Sequence, residues 1–152
     1  MRKLFLAFVA LAFSVTATAQ ELKQPAETVG MFMRGKQVMY AKRGYVTDLK
    51  SNQTLGSGST LTTNGTLTKT DGTTAVFKPG VLYNFDGEAA GTVTEYITVK
   101  GATCVLMTNE IATTIEGFKF ENGETINKAG MLSNSTYLKE GDKMLLSGEV
   151  LK

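Results

Sequence analysis

Glycine-bearing turns recur in this chain at intervals too short for anything but short strands. Glycines stand at 58, 65, 72, 80 and 87, each seven or eight residues after the last. Most follow a turn-forming residue, as in Asn64-Gly65, Asp71-Gly72, Pro79-Gly80, Asp86-Gly87 and Asn122-Gly123. A seven-residue interval also suits a coiled coil, but Gly and Thr are poor helix formers. Asn-Gly and Asp-Gly suit two-residue hairpin turns, whose central residues take positive φ. Between the turns, apolar residues alternate. Val81, Tyr83 and Phe85 share one face, Val93, Ile97 and Val99 another, and Thr fills many gaps. A period of two with abundant Thr and Val is the pattern of half-buried strands. The fold class expected is all-β, a meander of short strands with Gly-containing hairpin turns.

The pattern recurs along the chain. At a spacing of 65, Leu55 corresponds to Phe120, Gly58 to Gly123, Leu61 to Ile126, Gly65 to Gly130 and Leu67 to Leu132. At a spacing of 61, Lys78 corresponds to Lys139, Gly80 to Gly141, Phe85 to Leu146, Gly87 to Gly148 and Glu88 to Glu149. Two blocks in the same order, with apolar positions kept apolar, are the mark of an internal repeat. The drop from 65 to 61 means that the second block lacks four residues, and the cheapest place is the hairpin tip around Thr70-Asp71-Gly72-Thr73. Two tandem, related meander-like units are therefore expected, over residues 31–91 and 102–152. Residues 92–101 connect them and carry strand-like alternation, and 20–30 form a polar leader containing Pro25. Each unit is small enough to be marginal alone, so the two are expected to pack together or share a sheet.

Before the leader, Arg2 and Lys3 precede an unbroken apolar run from Leu4 to Phe13, followed by Ser14-Val15-Thr16 and Ala17-Thr18-Ala19. That order reads as a secretory signal over residues 1–19, with small Ala17 and Ala19 fitting the peptidase and the cut falling before Gln20. Ten apolar residues make a helix of about 15 Å, half a bilayer core, so a cleaved signal helix is expected rather than a stable membrane insertion. A lipid anchor would need a cysteine after the cut, and the single cysteine is Cys104. Loss of Arg2 and Lys3 takes the formal charge from +2 to zero. A neutral chain has no general attraction for nucleic acid or anionic lipid. The expected location is exported: periplasm, cell surface or extracellular.

The stretch Thr54-Leu55, Thr63-Asn64-Gly65-Thr66-Leu67, Asp71-Gly72-Thr73, Phe77-Lys78-Pro79-Gly80 and Phe85-Asp86-Gly87-Glu88 resembles the domain-of-unknown-function family DUF6799. The Met31-Phe32-Met33-Arg34-Gly35-Lys36 opening fits it too, and Leu138-Lys139-Glu140-Gly141-Asp142 with Ser147-Gly148-Glu149 is a weaker second match. The resemblance implies a short β-rich module of exported bacterial proteins. It implies no activity.

The residues argue against catalysis. The chain has no histidine and one cysteine. That removes Ser-His-Asp and Cys-His systems and most zinc or iron sites, so no cofactor and no metal site is expected. Cys104 lies in the apolar run Cys104-Val105-Leu106-Met107 and is expected to be a buried small hydrophobe. Gly56-Ser57-Gly58-Ser59-Thr60 lacks the lysine ending of a phosphate loop and reads as a flexible turn. Asp86 with Glu88, and Glu140 with Asp142, read as solvated turn acids. One basic-aromatic surface patch stands out: Arg34, Lys36, Tyr40, Lys42 and Arg43, with Tyr45 beside them. Met31, Met33, Met39 and Met107 are thioethers suited to Cu(I), although core packing is their ordinary role. The leading expectation is an exported, non-catalytic β-repeat protein with a structural or interaction role, its partner a protein or envelope component. The alternative is a soft-metal or small-ligand binder using Met and Tyr side chains. A small outer-membrane barrel fits less well, because turns every seven or eight residues are too close for membrane-crossing strands of about 9–11 residues.

Overall fold

A computed structural model describes residues 27–151. The expected signal helix, with Ala17, Ala19 and Gln20, and most of the expected leader lie outside the described residues. Within them the chain is all-β, with no helix.

The first half carries nine strands: β1 (Gly30–Arg34), β2 (Gln37–Lys42), β3 (Tyr45–Asp48), β4 (Gln53–Thr54), β5 (Thr60–Leu61), β6 (Thr66–Thr68), β7 (Thr74–Val76), β8 (Val81–Tyr83) and β9 (Ala89–Thr92). The second half carries β10 (Glu95–Lys100), β11 (Thr103–Thr108), β12 (Ile111–Thr114), β13 (Gly117–Lys119), β14 (Thr125–Asn127), β15 (Lys143–Leu145) and β16 (Val150–Leu151). In the first half a five-stranded antiparallel sheet has the order β3-β2-β1-β8-β9, and the excursion between β3 and β8 forms the small meander β4-β5-β6-β7. The second five-stranded sheet has the order β12-β11-β10-β15-β16. In both, the first strand is central, with the next two on one side and the last two on the other. The excursion between β12 and β15 holds β13-β14, continued by bridges of Ile126 to Leu132 and of Met131 to Tyr137. Four fewer residues separate Met131 from Tyr137 than separate the paired Thr66 and Val76.

The central position explains the composition of β1. Met31 and Met33 face a core with Val38, Leu61, Leu67 and Phe77, while Phe32 turns to the opposite side with Met39 and Ala41. Pairing keeps partners on one face: Met33 lies opposite Val38 and Phe32 opposite Met39. Both faces of this strand are covered, so it reads as an apolar run without alternation. In the second half Ile97, Val99, Cys104 and Leu106 build the corresponding core with Phe120, Ile126 and Met144.

Residues 92–101, expected as a connector, contain the central strand of the second sheet. Glu95–Lys100 is six residues long and pairs along its whole length with β11. Val93 does not share a face with Ile97 and Val99. It leaves the strand and packs against the Phe32 cluster, where Ile111 of the second half also lies. The leader is likewise ordered at its end. Gly30 belongs to β1, and Thr28 is buried, its N–H and hydroxyl both donating to the Glu110 carboxylate.

The halves therefore meet along a mixed seam. Its apolar part is Phe32, Met39, Ala41 and Ile111, with Val46, Leu82 and Val93 beside them. Its polar part is Arg34, whose guanidinium pairs with the Glu95 carboxylate while the Thr108 hydroxyl donates to the same carboxylate at 2.7 Å.

The turns differ from expectation in kind. At Asn64-Gly65, Thr62 N–H donates to Thr66 O at 2.9 Å and Gly65 N–H to Thr62 O at 3.1 Å. The same pattern runs from Lys69 to Thr73 and from Phe120 to Glu124. These are three-residue loops ending in a glycine bulge, not two-residue turns. The reason is local: the Asn or Asp oxygen accepts the N–H two residues on, as Asp71 does from Thr73 at 2.8 Å. That leaves only the glycine left-handed, with φ of 89° at Gly65 and 84° at Gly72. True two-residue loops fall elsewhere, at Gly35-Lys36, Arg43-Gly44, Gly101-Ala102 and Asn109-Glu110.

Candidate functional site

In the meander β4-β5-β6-β7 alternate turns lie at the same end, so the tips Leu55–Ser59 and Lys69–Thr73 fall together while the Gly65 turn packs on Met33. The β8–β9 tip of the first sheet, Asn84–Glu88, lies beside them. The three tips enclose a cleft of about 400 Å³. Its floor is the buried Leu67. Its walls are lined by the hydroxyl residues Ser57, Ser59 and Thr70, the acids Asp71, Asp86 and Glu88, and Lys69.

Hydrogen bonds hold the tips in place. Gly56 N–H donates to Phe85 O at 3.2 Å, and the Ser57 hydroxyl donates to Asp86 O at 2.9 Å. The first tip is thereby fastened to the third. Asn84 Oδ1 accepts from the N–H groups of Asp86 and Glu88 at 3.0 and 2.9 Å, shaping the third tip from within. Asp71 Oδ1 accepts from the Thr73 hydroxyl at 2.6 Å, and these bonds hold its carboxyl below the usual range. Gly56 and Gly58 allow the approach: a Cβ at Gly56 would strike the Asp86 carboxylate, and one at Gly58 would lie 3.1 Å from Thr70 Cγ2. Among the described residues no group of three or more His, Cys, Asp or Glu side chains is placed to hold a metal ion.

The basic-aromatic patch read from the sequence does not form one surface. Arg34 lies on the opposite face of the sheet from Tyr40, half-buried against Glu95. Lys36 sits in the loop between β1 and β2, at the far end of that hairpin from Lys42 and Arg43. Tyr40 stacks on Phe85 with ring centroids 4.9 Å apart, and Lys42 Nζ lies 5.7 Å from the centre of the same ring. Arg43 is exposed in the next loop, with Tyr45 three-quarters exposed beside it. The physical reason is strand alternation: Tyr40 and Lys42 share one face, and Arg34 belongs to the face that meets the second half.

The methionines separate in the same way. Met31 and Met33 share one core, but Met39 belongs to the other cluster. Cys104 is fully buried, and burial raises its thiol pKa. Asp86 and Glu88 are exposed turn acids, as read from the sequence, and with Ser57 and Ser59 of the Gly56–Thr60 turn they also line the cleft. The one sequence signal that points there is the phase of the turns, since 58, 72 and 87 are every second glycine of the series.

Residues 29–89 match the family model described as a domain of unknown function, DUF6799. This is the family that the sequence resembles, and the matched span contains β1 to β8, the meander among them, and all three tips of the cleft, ending where β9 begins. The match stops short of the second half. No curated protein and no solved structure matches the chain.

Proposed function

We propose that this chain is an exported, non-catalytic protein made of two copies of one β module, with a structural or interaction role in the periplasm or at the cell surface. The observation that carries the reading is the shared strand order. Two five-stranded sheets each place their first strand centrally and insert a small meander between the third strand and the fourth. The hydrogen bonds agree turn by turn at the spacing of 65 noted in the sequence: the Leu55–Ser59 turn has its counterpart in Phe120–Glu124, and Thr62–Thr66 in Asn127–Met131. The shorter second hairpin lies where the spacing falls to 61.

A duplicated scaffold joined by a buried seam suits a protein that presents surfaces at fixed separation. The open edges of both sheets, β9 and β16, favour this reading over a closed barrel. Export is supported by the order of charges, apolar run and small residues before Gln20.

Two measurements test the reading together. Mass spectrometry of the protein from envelope or culture fractions should find an N-terminus at Gln20. Retention of the unprocessed chain inside the cell would refute export. The processed protein, used as bait against envelope fractions, should retain one defined component reproducibly. Turnover of a small substrate without any such partner would refute the non-catalytic role.

A further inference from the structure

We infer that the cleft between the three hairpin tips of the first half is a binding site for a small polyhydroxylated molecule carrying an amino group, of the chemical class of an amino sugar. At about 400 Å³ the cleft falls in the range that accepts small molecules. Three acidic residues and one lysine line it, which disfavours phosphates and other anions and favours a cation. Hydroxyls and carboxylates from three separate turns offer donors and acceptors on several sides, which suits a ligand with several hydroxyls. No aromatic ring lines the cleft, so a nucleobase or an aromatic side chain has nothing to stack on. The carboxylates are not placed as a metal cage, which leaves an organic cation.

The second half supplies an internal comparison. Its first and last tips are fastened in the same way, with Glu121 N–H donating to Leu146 O at 3.0 Å. There, however, the Asn122 amide lies directly against Gly148, in the space between the tips. The middle hairpin is also four residues shorter, so the wall built by Lys69, Thr70 and Asp71 has no counterpart of the same reach. The same framework is thus filled in one half and open in the other. An open cleft is not an unavoidable result of the fold. It depends on Ser57, where the second half has Asn122, and on the longer middle hairpin.

Glucosamine is the probe, followed by amide chemical shifts, with glucose and putrescine as parallel arms. The expected result is saturable shifts at residues 57–59, 69–71 and 86–88, with glucosamine about tenfold tighter than glucose, as expected when a charge-assisted hydrogen bond replaces a neutral one. Asp86→Asn should remove that preference. Ser57→Asn, which places the second half's residue in the first, should abolish the shifts in a chain that stays folded, its thermal midpoint lowered by no more than the few degrees that the lost Ser57–Asp86 hydrogen bond accounts for. Absence of saturable shifts at the three tips would overturn the assignment, as would shifts that survive Ser57→Asn. Putrescine binding as tightly as glucosamine would overturn the polyhydroxylated part. The outcome does not depend on export or on the duplication.

Discussion

Replacing Arg34 by Met tests whether the two halves are held by a buried charge pair. The Arg34 side chain is 24% exposed and that of Glu95 only 6%. Arg34 Nε lies 3.1 Å from both carboxylate oxygens, and its Nη2 donates to Oε1 as well. Met keeps much of the length of the side chain but removes every one of these bonds, together with the guanidinium 5.9 Å from the centre of the Phe32 ring. Glu95 is then left buried with the Thr108 hydroxyl as its remaining side-chain donor. Stranding a buried charge costs about 3–5 kcal/mol, and the partial exposure of Arg34 lowers that to about 2–4 kcal/mol. For a chain of this size the thermal midpoint should fall by roughly 6–20 °C. Adding Glu95→Gln removes the stranded charge while keeping an acceptor for Thr108. The double variant should therefore recover about 1–2 kcal/mol relative to Arg34→Met alone. Urea unfolding followed by circular dichroism measures all four corners of the cycle. If Arg34→Met costs under about 1 kcal/mol, or Glu95→Gln gives no recovery in its presence, the pair behaves as a solvated surface contact and the reasoning fails.

Gly130→Ala should destabilise by about 1–3 kcal/mol, because the residue has a φ of 85° and a Cβ there would lie 2.9 Å from Val99 Cγ2. A change below about 0.5 kcal/mol in urea unfolding would show that the second core yields freely. Glu110 is held below its ordinary value of 4.5, first by the Thr28 hydroxyl hydrogen bond. A depressed carboxyl contributes stability that is fully present above its unfolded value and is lost as pH falls through its folded one. The fall in thermal midpoint below about pH 4.5 should accordingly be shallower in Glu110→Gln than in the parent, and equal slopes would contradict the Thr28 contact.

Local chemistry made the strand class and the turn positions legible, because Gly, Asn and Asp act within a few residues of themselves. The kind of turn was less legible. Asn64-Gly65 reads as a two-residue turn until the Asn64 oxygen is seen accepting from Thr66 at 3.4 Å. Arg43-Gly44 and Asn109-Glu110 are among the four real two-residue loops and carry weaker signals. Glu95 reads as part of a connector because nothing nearby reveals that its partner, Arg34, comes from the other half. The basic patch failed for the same reason: alternation sends Arg34 and Tyr40 to opposite faces, and only the sheet order says what covers each face. Ser57, Asp71 and Glu88 come from three turns, and it is the packing of the meander beside the β8–β9 hairpin that brings them around one opening.

The central place of β1 also sets an order of events in time. Its pairing with β2 closes over a two-residue loop, but its pairing with β8 joins Met31 to Tyr83, about fifty residues later. β10 repeats the delay, waiting for Met144 to reach Ile97. Loop closure over such distances is slow compared with hairpin formation, so the three-stranded β1-β2-β3 unit should assemble first and stand with one edge of β1 unpaired. A chain emerging N-terminus first can close the first sheet before β15 has been made. By the time Glu95 emerges, Arg34 can already be seated at the seam, and the finished half serves as the template on which its neighbour docks.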